Sequence, residues 1–321
     1  MGQDSEESEE AAESSEIVVD LTDVAGAGVS VTGPGHSLWR DEFLTESYVK
    51  SAVKSLHDEY GQPSQEFGVY FLDGSDTRSA VGRTVEIERF STTFDNSTEF
   101  LRRLYEPLEL SGNTELICVV EHASYSPAGV LRTVRHTSEG GSRTLDDLQA
   151  SGVNGWGLSW TDILKRSDFA AAAPEEITDV PTIAVARAFQ GADQLDGVSQ
   201  ALYAALMQRF LSSSANTFVC ALDRIPYLLI QAASRGILNE FDDVGSISYY
   251  GSDDTTPLWA NFREHEAYLR LFQEETHDRL IKLQGLSEKF FFGYPNGQPV
   301  WQSLDLQVVD LREYSGNRSL T

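Results

Sequence analysis

The stretch from residue 179 to 236 constrains this chain most, because it reads as strand, glycine-bearing loop, helix, strand, helix. Its first piece is the apolar run Pro181-Thr182-Ile183-Ala184-Val185. A loop follows, opened by Gln190-Gly191 and closed by Gly197, and then a helical run over 198–211. After it come an apolar strand over 217–222 and a second helix over 226–235, ended by Gly236, where a left-handed cap is expected. A splayed strand that feeds a glycine turn and a helix N-terminus offers unpaired backbone N–H groups to a phosphate or a carboxylate. The order therefore describes the shape of a ligand site.

The rest of the chain is large enough to build a core around such a site. With 321 residues, 40% of them hydrophobic, it fits one large or two modest domains. A formal charge of −26 argues against nucleic acid and anionic membrane as partners, since both reward a cationic surface. Residues 1–16 form a serine-, glutamate- and alanine-rich tail with no apolar h-region, read as disordered and solvating. No stretch approaches the ~18 apolar residues of a membrane span, so a cytoplasmic location is the expectation. Cys118 and Cys220 each sit inside an apolar run and are expected as core thiols.

Periodicity predicts a helix over 43–60, with Phe43, Leu44, Tyr48, Val49, Ala52, Val53 and Leu56 near a 3.6-residue spacing. Strands are predicted at 17–21 and 67–72. Another is predicted at 84–90, where Val85, Ile87 and Arg89 alternate with Glu86 and Glu88. A helix is expected over 97–108, and 116–122 pairs with 129–136 as a hairpin turned by 124–128. Residues 144–148 read as a helical turn with Thr144 as N-cap, and 151–173 as irregular. Strands at 245–250 and 257–262, a helix over 264–284, and strand structure at 290–292 and 300–311 complete the pattern.

The common catalytic signatures are absent: no Gly-x-Ser-x-Gly elbow, no Gly-x-x-x-x-Gly-Lys-Ser/Thr loop, no Gly-x-Gly-x-x-Gly after a strand and no Cys-x-x-Cys. His265 and His277 on one helix would lie ~120° apart in azimuth and ~18 Å apart along the axis, so they cannot share a metal ion. No metal site is expected. Arg132 and Arg135, three apart on a strand, face opposite ways. Arg132 is a candidate for binding an acidic substrate group, with an ordinary surface arginine as the alternative. Asp179 is a candidate general base, with a cap or turn role as the other reading. Of Glu121 and His122 only one can face a cleft. Glu86 and Glu88 are either a perturbed pair or a solvated face. Trp156, Trp160 and Trp259 line a ligand pocket or pack at the core edge, and Trp156 is the substrate-binding candidate among them.

From about residue 82 to 262 the chain resembles the GNAT acyltransferase superfamily, and within it the autoinducer-synthase-like group related to acyl-homoserine-lactone synthases. The resemblance is carried by Val81-Gly82-Arg83 with Glu86 and Phe90, by Tyr105, and by the strand Cys118-Val119-Val120-Glu121-His122. It continues through Pro127 to Arg132, Thr144 to Leu148, Trp156-Gly157, Thr182 to Val185, Val198 to Tyr203 and Tyr250-Gly251-Ser252, ending at Pro257-Leu258-Trp259. The resemblance implies an α+β fold. Its mixed, mostly antiparallel sheet is flanked by helices, and an extra helix and strand lie at the C-terminal end.

It further implies that the pantetheine arm of an acyl-coenzyme A lies along Ile183, Ala184 and Val185. Its pyrophosphate would sit on Gln190, Gly191, Gly197 and Val198. The family pattern there is Arg/Gln-x-x-Gly-x-Gly/Ala, whereas here Ala192-Asp193-Gln194-Leu195-Asp196 separates Gly191 from Gly197. A carboxylate ~6 Å from a phosphate charge costs roughly 2–3 kcal/mol at an effective dielectric near 20. The position at which many members carry a tyrosine acid is Ala232, and Tyr227 points about 140° away from it.

Two functions follow. One is an acyltransferase that moves an acyl group from acyl-coenzyme A, as co-substrate and with no tightly bound cofactor, to a small-molecule amine. The other is a catalytically inactive GNAT-like module for ligand sensing or protein contact, its protein partner left open. The expected organisation is an acidic tail at 1–16, packing elements at 17–80, the GNAT-like domain at 81–263 and a helix-strand extension at 264–321.

Overall fold

The computed structural model describes residues 37–94, 96–137, 141–167, 176–190, 197–211, 217–234, 238–261, 286 and 288–293. A 3-10 turn, Asp41–Leu44, leads into helix α1 (Glu46–Glu59), whose N-cap Thr45 accepts from the Tyr48 N–H. Tyr48, Val49, Ala52, Val53 and Leu56 form its buried stripe, which is the face that the apolar period announces. Strand β1 (Phe67–Asp73) is followed by helices α2 (Ala80–Phe94) and α3 (Thr98–Leu110). The hairpin of β2 (Thr114–Glu121) and β3 (Ser126–Arg135) comes next, then the short helices α4 (Arg143–Gln149) and α5 (Trp160–Lys165). Strand β4 (Ile177–Val185), helix α6 (Val198–Leu211), strand β5 (Thr217–Asp223) and helix α7 (Arg224–Ser234) are the central unit. Strands β6 (Asn239–Glu240), β7 (Ile247–Tyr249), β8 (Ser252–Asn261) and β9 (Phe290–Gly293) end the description.

Among the described residues these strands form one sheet in the order β6-β8-β5-β4-β3-β2-β1-β9, with β7 on β8. Only β4 with β5 and β1 with β9 run parallel. The α+β fold with a mixed, mostly antiparallel sheet flanked by helices is thus the one expected from the sequence. The strand expected at 290–292 is β9. The strands expected at 17–21 and 300–311 and the helix at 264–284 lie outside the described residues.

Each face of the sheet carries its own core. On one face Val69, Ile117, Val119, Leu131, Phe218 and Cys220 meet Leu202, Ala205 and Leu206 of α6. On the other Tyr70, Leu116, Cys118, Val130 and Ala184 meet Val49, Val53 and Leu56 of α1 and Val81 and Val85 of α2. Fully burying such an aliphatic side chain contributes ~1.5–3 kcal/mol relative to leaving it exposed. Two glycines set how closely the helices approach. A Cβ on Gly82 of α2 would stand 2.8 Å from Leu116 and Val130, and one on Gly129 of β3 would stand 2.6 Å from Val198 of α6. Cys118 and Cys220 are buried and unpaired, on opposite faces.

Three expectations need correction. Residues 84–90 belong to helix α2, where Glu86 is fully buried and Glu88 accepts from the Arg187 N–H, so the two carboxylates neither share a face nor form a pair. The N-cap of α4 is Ser142, whose hydroxyl accepts from the Leu145 N–H at 3.1 Å, and Thr144 lies inside the helix. The stretch read as irregular contains α5, capped by Ser159.

Glu86 is buried because α2, α3 and β3 share a network of four fully enclosed charges. Arg132 donates to both oxygens of Glu86 at 2.8 and 2.6 Å and to Glu109 at 2.7 Å, and Arg83 donates to Glu109 at 3.1 Å. Arg83 also satisfies the carbonyls of Gly74 and Leu38, while the Trp39 indole N–H donates to Glu109. Burial by itself would raise the Glu109 carboxyl, but the two guanidinium groups overcome it and hold the group below its ordinary value. Removing one member of such a set strands a buried charge, at a cost of about 3–5 kcal/mol, whereas replacing a pair together is close to neutral. Arg132→Met is therefore expected to lower unfolding free energy by about that amount in urea titration, and Arg132→Met with Glu86→Leu to recover most of it. A loss under about 1 kcal/mol in the single variant would show that the network does not hold these elements together.

Candidate functional site

β4 and β5 pair over three residues only, Ile177 with Thr217, Thr178 with Phe218 and Asp179 with Val219. Beyond that point β4 continues along β3 to Val185, while β5 continues along β8 to Asp223. The two strands part, and side-chain burial falls with the pairing. Val219 and Cys220 are buried, whereas Ala221, Leu222 and Asp223 are partly exposed. A bulge in β4 begins the divergence. Arg132 pairs with Thr182 and Val134 with Asp179, so Val180 and Pro181 together stand opposite Thr133. Pro181 brings no N–H to this irregular position, so the bend leaves one donor fewer to satisfy.

Which peptide groups face the opening follows from strand alternation. The Ala186 N–H donates to the Ala128 carbonyl at 2.9 Å, so residues 186, 184 and 182 turn their peptides toward β3 and residues 185 and 183 turn theirs into the gap. The Val185 carbonyl is already taken by the Gln190 side-chain amide at 2.7 Å. Left facing the gap are both peptide groups of Ile183 and the N–H of Val185. Ala184 differs from its neighbours: its peptide serves β3 and its methyl joins the α1–α2 core.

Helix α6 begins at this end of the gap. Its first turn rests on Gly129, the residue that pairs with Val185, and its first intrahelical bond runs from Ala201 N–H to the Gly197 carbonyl at 2.9 Å. The N–H groups of Val198 and Ser199 precede any intrahelical acceptor, and the first turn carries no acidic residue. Arg187, exposed on the 3-10 turn Arg187–Phe189, adds a cation just past β4. Sequence reading passed over Arg187 because nothing in its neighbours marks it. Gly191 lies outside the described residues.

At the apex, where pairing ends, stands Asp179, fully buried. Its carboxylate accepts from the Thr144 N–H at 2.7 Å, the Thr144 hydroxyl at 2.7 Å and the Ser142 hydroxyl at 3.2 Å. It thereby ties the start of α4 to β4. Burial pushes its carboxyl up to about 6, with Asp147 adding to the rise and the three donors opposing it. Next to it Tyr105 of α3 shares a hydrogen bond with Thr182 at 3.1 Å, which joins the buried charge network to the gap-lining strand. Asp147 of α4 accepts from the Tyr249 hydroxyl at 2.6 Å and from Arg143 at 2.8 Å, and Arg143 also donates to the Tyr250 hydroxyl. The tip of the β7–β8 hairpin is held to this end of the molecule by Asn96, which donates to the Tyr250 carbonyl.

Two candidates move away from the site. The Arg132 guanidinium is enclosed by Glu86, Glu109 and the Tyr105 ring at 4.2 Å, so it has no face left for an external acid. Trp156 packs with Trp160 and Trp259 against Leu145, Leu148 and Ile163, donates its indole N–H to the Gly245 carbonyl at 2.9 Å and lies 5.3 Å from Tyr249. The tryptophans thus share one structural cluster, packed around α4 and α5. His122 is buried, bonded to Tyr70 at 3.0 Å and to the Gln65 carbonyl at 2.7 Å, while Glu121 is only partly buried. The Tyr227 hydroxyl is committed to Glu240 at 2.8 Å. Among the described residues no group of three or more His, Cys, Asp or Glu is placed to hold a metal ion, and no helix is long and apolar enough to cross a membrane.

No protein-family model matches the chain, and no curated protein matches it. Among solved structures it is similar to FeeM, an N-acyl amino acid synthase from uncultured soil microbes, at 11% identity and a TM-score of 0.41. That match covers 63% of this chain and 93% of that one. It is similar to BjaI, a coenzyme A-dependent acyl-homoserine lactone synthase, at 14% identity and a TM-score of 0.40, over 72% and 95%. It is also similar to spermidine N-acetyltransferase from Vibrio cholerae, solved with coenzyme A and spermine, at 9% identity and a TM-score of 0.36, over 61% and 95%. With all three TM-scores below 0.5, neither activity nor substrate carries over from these proteins.

The raised Asp179 carboxyl has a measurable consequence. Its folded value, about 6, lies above the ordinary 3.8, so the native state keeps this proton to higher pH than the unfolded chain does. Its contribution to stability is then fullest below pH 4, falls as pH rises through about 6 and stays flat above, by roughly 3 kcal/mol in all. Urea titrations at pH 4.5 and 7.5 should show wild type losing about 2 kcal/mol more than Asp179→Asn over that interval. Equal losses in the two proteins would mean that Asp179 does not titrate there.

Proposed function

We propose that the chain is an N-acyltransferase that takes an acyl group from acyl-coenzyme A and passes it to a small-molecule amine. The observation that carries this reading is the parting of β4 from β5 beyond Asp179, which leaves the Ile183 and Val185 N–H groups facing the gap beside the first turn of α6. An extended arm bearing two amides pairs with such an edge as an added strand would. The diphosphate then falls at the α6 N-terminus, where Gly197 and Val198 present backbone and Arg187 a positive charge. Gln190, which holds the Val185 carbonyl, closes the outer end. Asp193 and Asp196, in the loop before α6, lie outside the described residues.

The thioester reaches the apex of the gap in this arrangement. Its carbonyl is polarised by backbone N–H groups already fixed by the sheet, which lowers the barrier without reorganisation at the moment of reaction. The amine arrives from the side of α4 and attacks the carbonyl carbon, and the thiolate leaves as the amide forms. We assign to Asp179 the acceptance of the proton that the amine nitrogen loses once its lone pair has formed the bond to the carbonyl carbon, since its pKa of about 6 suits a base working near neutrality. Membership of the autoinducer-synthase-like branch is part of the same proposal and rests on the order of motifs from Val81-Gly82-Arg83 to Pro257-Leu258-Trp259.

The second reading, a ligand-sensing module without turnover, is favoured by Asp193 and Asp196 between Gly191 and Gly197 and by Ala232 at the expected acid position. Binding and turnover separate the two. Acetyl-coenzyme A at millimolar concentration is expected to raise the melting temperature, as linkage requires of a native-state ligand. Ile183→Pro removes a gap-facing N–H that no strand uses, so it should weaken that binding about 5- to 10-fold while leaving far-UV circular dichroism intact. Free thiol released in the presence of an amine panel reports transfer. A melting shift with no thiol release would select the sensing module, and no shift with coenzyme A, acetyl-coenzyme A or a longer acyl derivative would end both readings.

A further inference from the structure

On the α6 face of the sheet the side chains change character within one step of register. Phe71, Ile117, Leu131 and Val180 form an apolar, buried row. One step further from the gap, at the period-two positions of the same strands, stand Asp73, Glu115, Thr133 and Thr178, with Arg135 beside Thr178. The last turn of α6 overhangs them with Arg209 and Phe210, and together they bound a cavity of about 360 Å³. A polar row beneath a helix is costly unless each group has a partner.

For Glu115 the partner is Arg209, whose Nε donates at 2.8 Å. Burial nevertheless pushes the Glu115 carboxyl up, against the pull of Arg209 and the more distant Arg135. Asp73, at the exposed end of β1, accepts from the N–H and hydroxyl of Ser75. Arg135 is different. Among the described residues its guanidinium makes no ion pair, although its backbone N–H is used by the Asn113 carbonyl at 2.9 Å. Two carboxylates and two guanidinium groups thus line the cavity, Glu115 paired with Arg209, while among the described residues neither Asp73 nor the Arg135 cation makes an ion pair. Hydroxyls stand next to that cation at Thr133 and Thr178, and Phe71 and Phe210 supply an apolar wall.

We infer that this cavity is a second ligand site, for a small organic monocarboxylate with a compact apolar body. The carboxylate lies on Arg135 between the Thr133 and Thr178 hydroxyls, and the body lies against Phe71 and Phe210. Arg is suited to the task because its fork binds both carboxylate oxygens. A doubly charged anion fits worse, since its second charge would meet Asp73 and Glu115. The site lies at the opposite end of β4 from the gap, so it stands or falls independently of the acyl-transfer reading.

Benzoate is the probe, titrated to 10 mM at constant ionic strength with melting temperature and calorimetry as readouts. At ten times Kd it should raise the melting temperature by about 3 °C. Benzamide, which keeps the ring but not the charge, should give little shift, and inorganic phosphate less than benzoate. Arg135→Gln alters an exposed side chain, so its unliganded melting temperature should match wild type while benzoate affinity drops at least tenfold. Thr133→Val gives a second, isosteric loss of affinity if that variant folds poorly. The inference is overturned by any of three results: no benzoate shift in wild type, an equal shift with benzamide or phosphate, or undiminished benzoate binding in both variants.

Discussion

The enclosed set of Arg83, Glu86, Glu109 and Arg132 is the interaction on which the rest of the molecule depends. Its charges sum to zero, and each member comes from a different place in the fold or reaches a different partner. Arg83 and Glu86 belong to α2, Glu109 to α3 and Arg132 to β3. Such a set contributes little net stability over apolar residues of the same size, but its geometry admits few alternative arrangements. The Tyr105 ring lies on Arg132, and the Tyr105 hydroxyl reaches Thr182 just after the bulge. β4 is thereby fastened to the same body as β3. β5 pairs with β8 along its whole length, so once β4 bends at Val180 and Pro181 the two strands have no common course to follow.

The parts of the fold that were legible in the sequence are those in which polarity and burial agree. Helix α6 was readable at 198–211 because its buried positions are apolar apart from Gln208, and β1, β2 and β5 were readable because both of their faces are covered. Helix α2 was misread as a strand for the same physical reason. Its inward face carries Arg83 and Glu86, so a reader who assigns charges to solvent sees alternation where there is a 3.6-residue stripe. Arg132 was misassigned through the same assumption, since a lone arginine on an apolar strand looks like a ligand contact until its two carboxylates, 46 and 23 residues away, are seen beside it. The gap was anticipated from the order of elements. The bulge that sets which residues face it was not, because a single extra residue leaves no trace in composition or period.

An acidic chain with a proposed anionic ligand presents an electrostatic conflict that the geometry resolves locally. The formal charge of −26 acts through water and salt and is screened within roughly 8–10 Å at physiological ionic strength. The donors at the gap are peptide N–H groups, which carry no formal charge and cannot be reversed by surface composition. On the proposed reading, net charge would govern how fast an anion approaches, while the backbone at Ile183, Val185 and the α6 terminus, with Arg187, would govern how well it is held.

Asp179 shows why a costly residue persists at the apex. Three donors converge on its side chain: an N–H and a hydroxyl from Thr144 and a hydroxyl from Ser142. An ionised carboxylate accepts all three through two oxygens, whereas an asparagine offers one accepting oxygen and would turn an N–H toward one of the donors. Anchoring α4 to β4 therefore calls for an acid in a place where burial opposes its charge. The compromise is a group that holds its proton up to about pH 6, and this proton lies where the strands part. A residue required for architecture thus brings a titratable group to the apex, and a reaction that needs a base there would require no further side chain to supply one.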